Sequence, residues 1–133
     1  MPQLQQLVLT DRETTPVNHT FVPMNIIQPN NVGVLAEITG TPIGEPGFTI
    51  SNRRSGGKVR GRVTITVPVV QTQTINGVST PVVVRRAIAD VNLTFDETST
   101  TQERKNLLGF LYSAFATGKV LVEDAFVKAE GIY

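Results

Sequence analysis

Val59-Arg60-Gly61-Arg62-Val63-Thr64-Ile65-Thr66-Val67-Pro68-Val69-Val70 alternates with a period of two. Val59, Gly61, Val63, Ile65, Val67 and Val69 point one way, and Arg60, Arg62, Thr64 and Thr66 point the other. A helix would group residues three and four apart instead. The stretch predicts a strand with one face on a core and one face open, the usual arrangement in an antiparallel sheet. After it, Gln71 to Thr80 reads as a polar loop, and Asn76-Gly77 within it favours a tight hairpin turn. A second long strand is predicted from about Val82 to Phe95. Its Ala87, Ala89, Val91, Leu93 and Phe95 share a face, opposite Arg86, Ile88, Asp90, Asn92 and Thr94.

Toward the N-terminus the strands shorten. Leu4 to Thr10 and Val17 to Val22 predict two strands around a polar turn at Asp11-Arg12-Glu13. Pro23 and then Gln28-Pro29-Asn30-Asn31 are read as breaks. Val32 to Thr39 and Phe48 to Arg53 are further strands, separated by Gly40, Pro42, Gly44, Pro46 and Gly47. Ser55-Gly56-Gly57 is a turn, because paired glycines reach positive φ at little steric cost.

The period changes after Phe95. Thr100-Thr101-Gln102-Glu103 has the spacing of a capping box. Leu107, Leu108, Phe110, Leu111, Ala114 and Phe115 follow helical spacing, and Gly118 is a natural stop. A second helix is expected over Val120 to Ala129, with Leu121, Val122, Ala125 and Phe126 as its apolar side. Strands first and helices last make an α+β layout with an antiparallel meander. Two short helices cover only part of such a sheet, and a second copy of the chain is an alternative packing partner for their apolar stripe.

At 133 residues, 40% hydrophobic and 17% charged, the chain fits one domain, too apolar for disorder and without a membrane-spanning run. Met1 to Asp11 lacks the organisation of a secretory signal, so a soluble, intracellular protein is expected. Cysteine is absent, which excludes disulfides and thiolate chemistry. The net charge is +1, but no acidic residue lies between Glu45 and Asp90, a stretch holding Arg53, Arg54, Lys58, Arg60, Arg62, Arg85 and Arg86. From Asp96 onward acids outnumber bases. That asymmetry fits one surface for a polyanion and another kept clear of it.

Two polar rows follow from the alternation: Arg60, Arg62, Thr64 and Thr66 on one strand, and Thr49, Ser51 and Arg53 on the strand before it. Arginines contact phosphates, and hydroxyls bond phosphate, sugar or base edges. Spacing alone serves an RNA platform and a solvated face of β-favouring threonines equally. The missing acids, with Lys58 in the same basic run, favour RNA. Asp90 is open to two readings, an acceptor for base amino groups or a salt-bridge partner. Ile88 either covers a base or is a singly exposed side chain. His19, the one histidine, has no acidic neighbour in sequence and is read as a surface or hydrogen-bonded residue. Ser55-Gly56-Gly57-Lys58 lacks the spacing of a phosphate loop. No nucleophile–base pair, metal cluster or cofactor loop supports an enzyme, and no cofactor or metal is expected.

Several stretches, in order, resemble the coat proteins of the small RNA bacteriophages, the levivirus group. They are Leu4 to Asp11, Gly33-Val34, Phe48-Thr49-Ile50-Ser51, Val67 to Thr74, Asn76-Gly77-Val78, Thr80-Pro81-Val82-Val83, Arg86 to Thr94 and Glu130-Gly131-Ile132-Tyr133. The resemblance implies a single coat-protein domain over 1–133. It would comprise an N-terminal β-hairpin (about 4–22), a five-stranded antiparallel sheet (about 32–96) and two C-terminal helices (about 100–130). Two subunits would join sheets edge to edge and interlock helices through Leu107, Leu111 and Phe115. Dimers would tile an icosahedral virion shell, assembled in the bacterial host cytoplasm, with Gln71, Thr74, Asn76, Gly77 and Pro81 in an inter-subunit loop. Expected partners are the chain itself, single-stranded genomic RNA, an RNA hairpin whose binding represses translation, and a minor virion protein; no membrane is expected. The implied RNA contacts are Val34, Thr49, Ser51, Arg53, Arg62, Thr64, Ile88 and Asp90. Ile88 stands where relatives often have a stacking tyrosine, and Thr64 where some have lysine. The alternative is a dimeric β-sheet RNA-binding regulator that never assembles.

Overall fold

The computed structural model describes residues 2–132. It divides into two compact units, one up to Thr94 and one from Phe95 on. In the first, six strands run in sequence order through one sheet: β1 (Leu7–Thr10), β2 (Asn18–Ile27), β3 (Val32–Ala36), β4 (Gly47–Ser55), β5 (Lys58–Ile75) and β6 (Val78–Asp96). β6 runs two residues past the boundary. The α+β class and antiparallel meander are as the alternation predicts.

The N-terminal hairpin and the sheet share β2. Its first half pairs with β1 (Leu7 opposite Phe21, Thr10 opposite Asn18), and its second half pairs with β3 (Ile27 opposite Val32). Pro23 therefore does not end the strand. The register shifts between Pro23 and Asn25, so one residue bulges out and the strand continues to Ile27. The Gln28–Asn31 break is a true turn, with Asn31 at φ 52°.

Alternation holds through the middle of the sheet. Phe21, Leu35 and Phe48 form the buried core, and Leu4, Leu7, Leu9, Val63 and Ile65 pack against it. The rings of Phe21 and Phe48 lie 6.3 Å apart and tilted at 56°, a favourable aromatic geometry. Each such side chain withdrawn from water stabilises the fold by about 1.5–3 kcal/mol. The connection between β3 and β4 carries a short 3₁₀ turn at Pro42–Gly44 that lies against Val70 of β5.

Gly56 and Gly57 (φ 58° and 75°) turn β4 into β5, and Asn76 and Gly77 (φ 51° and 77°) turn β5 into β6. Both central residues at positive φ is what a two-residue hairpin turn of matching twist requires. The second turn corrects the sequence reading. Gln71 to Thr80 is not a loop: β5 continues to Ile75 and β6 begins at Val78. Gln71 and Thr74 lie in β5, Asn76 and Gly77 form the tip, and Pro81 lies in β6. Thr74 and Ser79 hydroxyls meet across the arm at 3.3 Å.

In the second unit, α1 spans Thr101–Ala114. Its capping box forms as expected: the Glu103 N–H donates to Thr100 Oγ1 (3.2 Å), and the Thr100 N–H donates to Glu103 Oε2 (3.1 Å). The helix stops at Ala114, four residues before Gly118, which turns the chain at φ 93°. α2 (Val120–Val122) runs into a π-helical turn, Glu123–Val127, shorter than the helix expected to Ala129. Ala129 itself has left-handed geometry, at φ 57°. α1 has no buried residue, and Phe110 and Tyr112 are 74% and 81% exposed.

Candidate nucleic-acid interface

The strand registers place the expected contacts on one face. Val34 pairs with Thr49, Thr49 with Thr64, Ser51 with Arg62, Arg53 with Arg60 and Ser55 with Lys58. Paired residues project to the same side, and so do residues two apart on one strand. Val34, Thr49, Ser51, Arg53, Lys58, Arg60, Arg62 and Thr64 therefore share the face opposite Phe48, Ile50, Val63 and Ile65. Asp90 joins them through direct contacts with Arg62 and Thr64. Ile88, two residues away on β6, lies on the same side and is 66% exposed.

Asp90 takes the salt-bridge reading. Arg62 donates to it twice, Nε to Oδ1 at 2.9 Å and Nη2 to Oδ2 at 2.6 Å. Thr64 Oγ1 adds a longer contact at 3.4 Å. Hydrogen bonding from Arg62 is the main cause holding the Asp90 carboxyl below its ordinary range, and the same bond raises Arg62. The fork geometry fixes the guanidinium plane on the open face.

Arg53 and Arg60 behave differently. They stand directly opposite each other across β4 and β5, and no carboxylate is bonded to either among the described residues. Directly opposed like charges weaken a sheet. These two line a cleft of about 320 Å³ with Asn30, Val32, Ser51, Gly61, Arg62 and Asn92. The cleft thus offers guanidinium, amide and hydroxyl groups together, a donor set suited to phosphate and base edges. Asn30 and Val32 were not singled out in the sequence. They reach the cleft because the β2–β3 turn returns Val32 to the level of Ser51 in the middle of β4, a placement that only the register reveals.

The other expected residues lie elsewhere. Gln71, Thr74, Asn76, Gly77 and Pro81 form the exposed β5–β6 arm. Leu107, Leu111 and Phe115 recur every four residues along α1 and its C-terminal cap, with Leu107 and Phe115 exposed. His19 is hydrogen-bonded, one of its two expected readings, and its ring contacts two carboxylates distant in sequence, Asp11 and Glu37, both at 2.6 Å. Among the described residues no group of three His, Cys, Asp or Glu is placed to hold a metal ion. Among the described residues no helix is long and apolar enough to cross a membrane.

The first unit thus presents a cationic sheet face, and the helices of the second bury no residue. The chain belongs to the levivirus coat protein family, whose model matches residues 2–133. It is a capsid protein. It is 49% identical over 132 residues to the capsid protein of Pseudomonas phage PRR1, covering 98% of this chain and 99% of that one. Its structure is similar to the capsid protein of bacteriophage GA (TM-score 0.82, 29% identity, 98% of each chain covered). It also shares the fold of an unassembled bacteriophage coat protein dimer described as an RNA-binding dimer (TM-score 0.61, 21% identity, 98% of each chain covered).

Proposed function

We propose that this capsid protein dimerises, closes an icosahedral shell around single-stranded RNA, and grips an RNA hairpin on the β4–β6 face as a translational repressor. The uncompensated Arg53–Arg60 pair over the cleft carries the RNA reading. A sheet bears opposed cations at a cost in stability, and a phosphate would remove that cost. Arg62 would share its guanidinium between Asp90 and the nucleic acid, while Thr49, Ser51 and Thr64 supply hydroxyls for sugar and base edges. Ile88 offers apolar contact without aromatic stacking, a contribution worth about 1–3 kcal/mol per base where it occurs.

Dimerisation has separate support. β6 is a 19-residue strand at the edge of the sheet, and long unpaired edges invite pairing with another chain. Leu107, Leu111 and Phe115 give α1 an apolar stripe that a second subunit would cover. In this reading residues 1–133 act as one coat-protein domain completed by its partner. The β5–β6 arm serves contacts between dimers, and a minor virion protein joins the shell in the host cytoplasm. The RNA-binding dimer that shares this fold makes the same pairing of functions in another phage protein.

The test is selection from a randomised RNA hairpin library, followed by affinity against salt for the wild type and the Arg53→Ser/Arg60→Ser variant. A preferred hairpin, bound with steep salt dependence and weakened in the variant, is expected. Equal binding by both proteins would remove the cleft from the interface. A protein that binds RNA yet never forms particles would instead favour the regulator.

A further inference from the structure

The side of the sheet opposite the cleft holds an arrangement that neither RNA binding nor assembly explains. His19 of β2 lies between Asp11, at the start of the β1–β2 turn, and Glu37, just past β3. Its Nε2 is 2.6 Å from Asp11 Oδ2, and its Nδ1 is 2.6 Å from Glu37 Oε2. A carboxylate can only accept, and neutral imidazole has a single N–H. Both contacts are hydrogen bonds to ionised carboxylates only when both ring nitrogens carry protons. All three side chains are partly shielded, with exposures of 35% for His19, 28% for Asp11 and 20% for Glu37.

The two carboxylates belong to different parts of the fold. Asp11 Oδ1 also accepts the backbone N–H groups of Glu13 (3.2 Å) and Val17 (2.9 Å), so this one residue organises the hairpin turn. Glu37 begins the β3–β4 connection, where its N–H donates to the Pro46 carbonyl. Arg12 and Glu13 share the turn with Asp11, and Glu45 lies in the connection. β1, β2 and β3 carry no ionisable side chain besides His19.

We propose that His19 is a pH-operated latch: as imidazolium it fastens the N-terminal hairpin turn to the end of β3, and on losing a proton it must release one of the two carboxylates. The hydrogen bond to Asp11, then that to Glu37, raises His19 above its ordinary 6.5. Asp11 is held below its ordinary 3.8, first by the Val17 N–H and then by His19. A raised histidine stabilises fully below about 6.5 and loses that contribution as pH climbs through the raised midpoint. A lowered carboxyl stabilises above about 3.8 and loses its contribution as pH falls through the lowered midpoint. The latch is therefore closed between these limits and opens on the alkaline side by way of His19.

The chain has one histidine, so ring-nitrogen NMR of the full-length protein reports this site alone. At pH 6.5 both ring nitrogens should be protonated, with a titration midpoint above 6.5. Asp11→Asn and Glu37→Gln, which keep side-chain shape, should each lower that midpoint. Backbone exchange over residues 7–18, corrected for intrinsic rates, should lose protection as pH passes the midpoint in wild type and stay flat in His19→Gln. A midpoint at or below 6.5, a singly protonated ring at pH 6.5, or hairpin exchange indifferent to the midpoint would each overturn the latch.

Discussion

The first unit of this coat protein and its C-terminal helices treat apolar side chains in opposite ways. Phe21, Leu35 and Phe48 are buried within the sheet unit, with leucines of the hairpin against them. α1 is capped at its start as carefully as any stable helix, yet buries nothing, and leaves Phe110, Tyr112 and Phe115 exposed. A helix holds most of its stability through packing of an apolar face. The contrast is that the sheet unit buries an apolar core of its own while α1 leaves its apolar side chains open, which is the basis for proposing that a second copy covers them.

Four variants would break or sharpen that contrast. The largest effect is expected from Leu111→Asp. A charge placed in the stripe would be buried without a partner in the dimer, and this is costly. Size-exclusion chromatography should show complete loss of dimers and particles, with sheet content by circular dichroism retained. Correct assembly of the variant would show that α1 is not an interface. Phe48→Ala acts on the other region and should cost about 3–5 kcal/mol in urea unfolding, a large part of the roughly 5–15 kcal/mol typical of a domain. A reduction under about 1 kcal/mol would mean that the core does not rest on Phe48.

Arg60→Ser with Arg62→Ser leaves both apolar regions intact and removes charge from the open face. RNA carried by purified particles should fall. The slope of log affinity against log salt should flatten by roughly 0.7–0.9 for each phosphate that is no longer neutralised. Unchanged RNA content and slope would assign RNA to another surface. Thr100→Ala is expected to have the smallest effect, about 1 kcal/mol of stability through removal of the cap, read as a lowered thermal midpoint. No change would mean that packing against a second copy, rather than the cap, holds the helix start.

Sequence made the fold visible wherever one side of an element is buried and the other is wet. Val59 to Ile65 alternates because Val63 and Ile65 pack on the core while Arg60 and Arg62 stay open. Gln71 to Pro81 is exposed on both sides. No burial constrains its side chains, no alternation marks it, and a continuous hairpin arm reads as a loop. Pro23 is misleading for another reason: it marks a bulge, which only pairing with β3 distinguishes from a strand end. The candidate interface was legible in its long rows, Thr49 to Arg53 and Arg60 to Thr64, which the register places on one face. Asn30 and Val32 were hidden because turns, not periodicity, bring them to the cleft. The partners of His19 lie 8 and 18 residues away, so no local reading of its surroundings finds them.

The most direct test of a chain built to be completed by its own copies is to express it alone in bacteria. The product would be passed through size-exclusion chromatography and imaged by negative-stain electron microscopy. Uniform closed particles, in which the wild type assembles and Leu111→Asp does not, are the predicted result. A stable monomer, or a dimer that forms no particles across salt and RNA conditions, would contradict it.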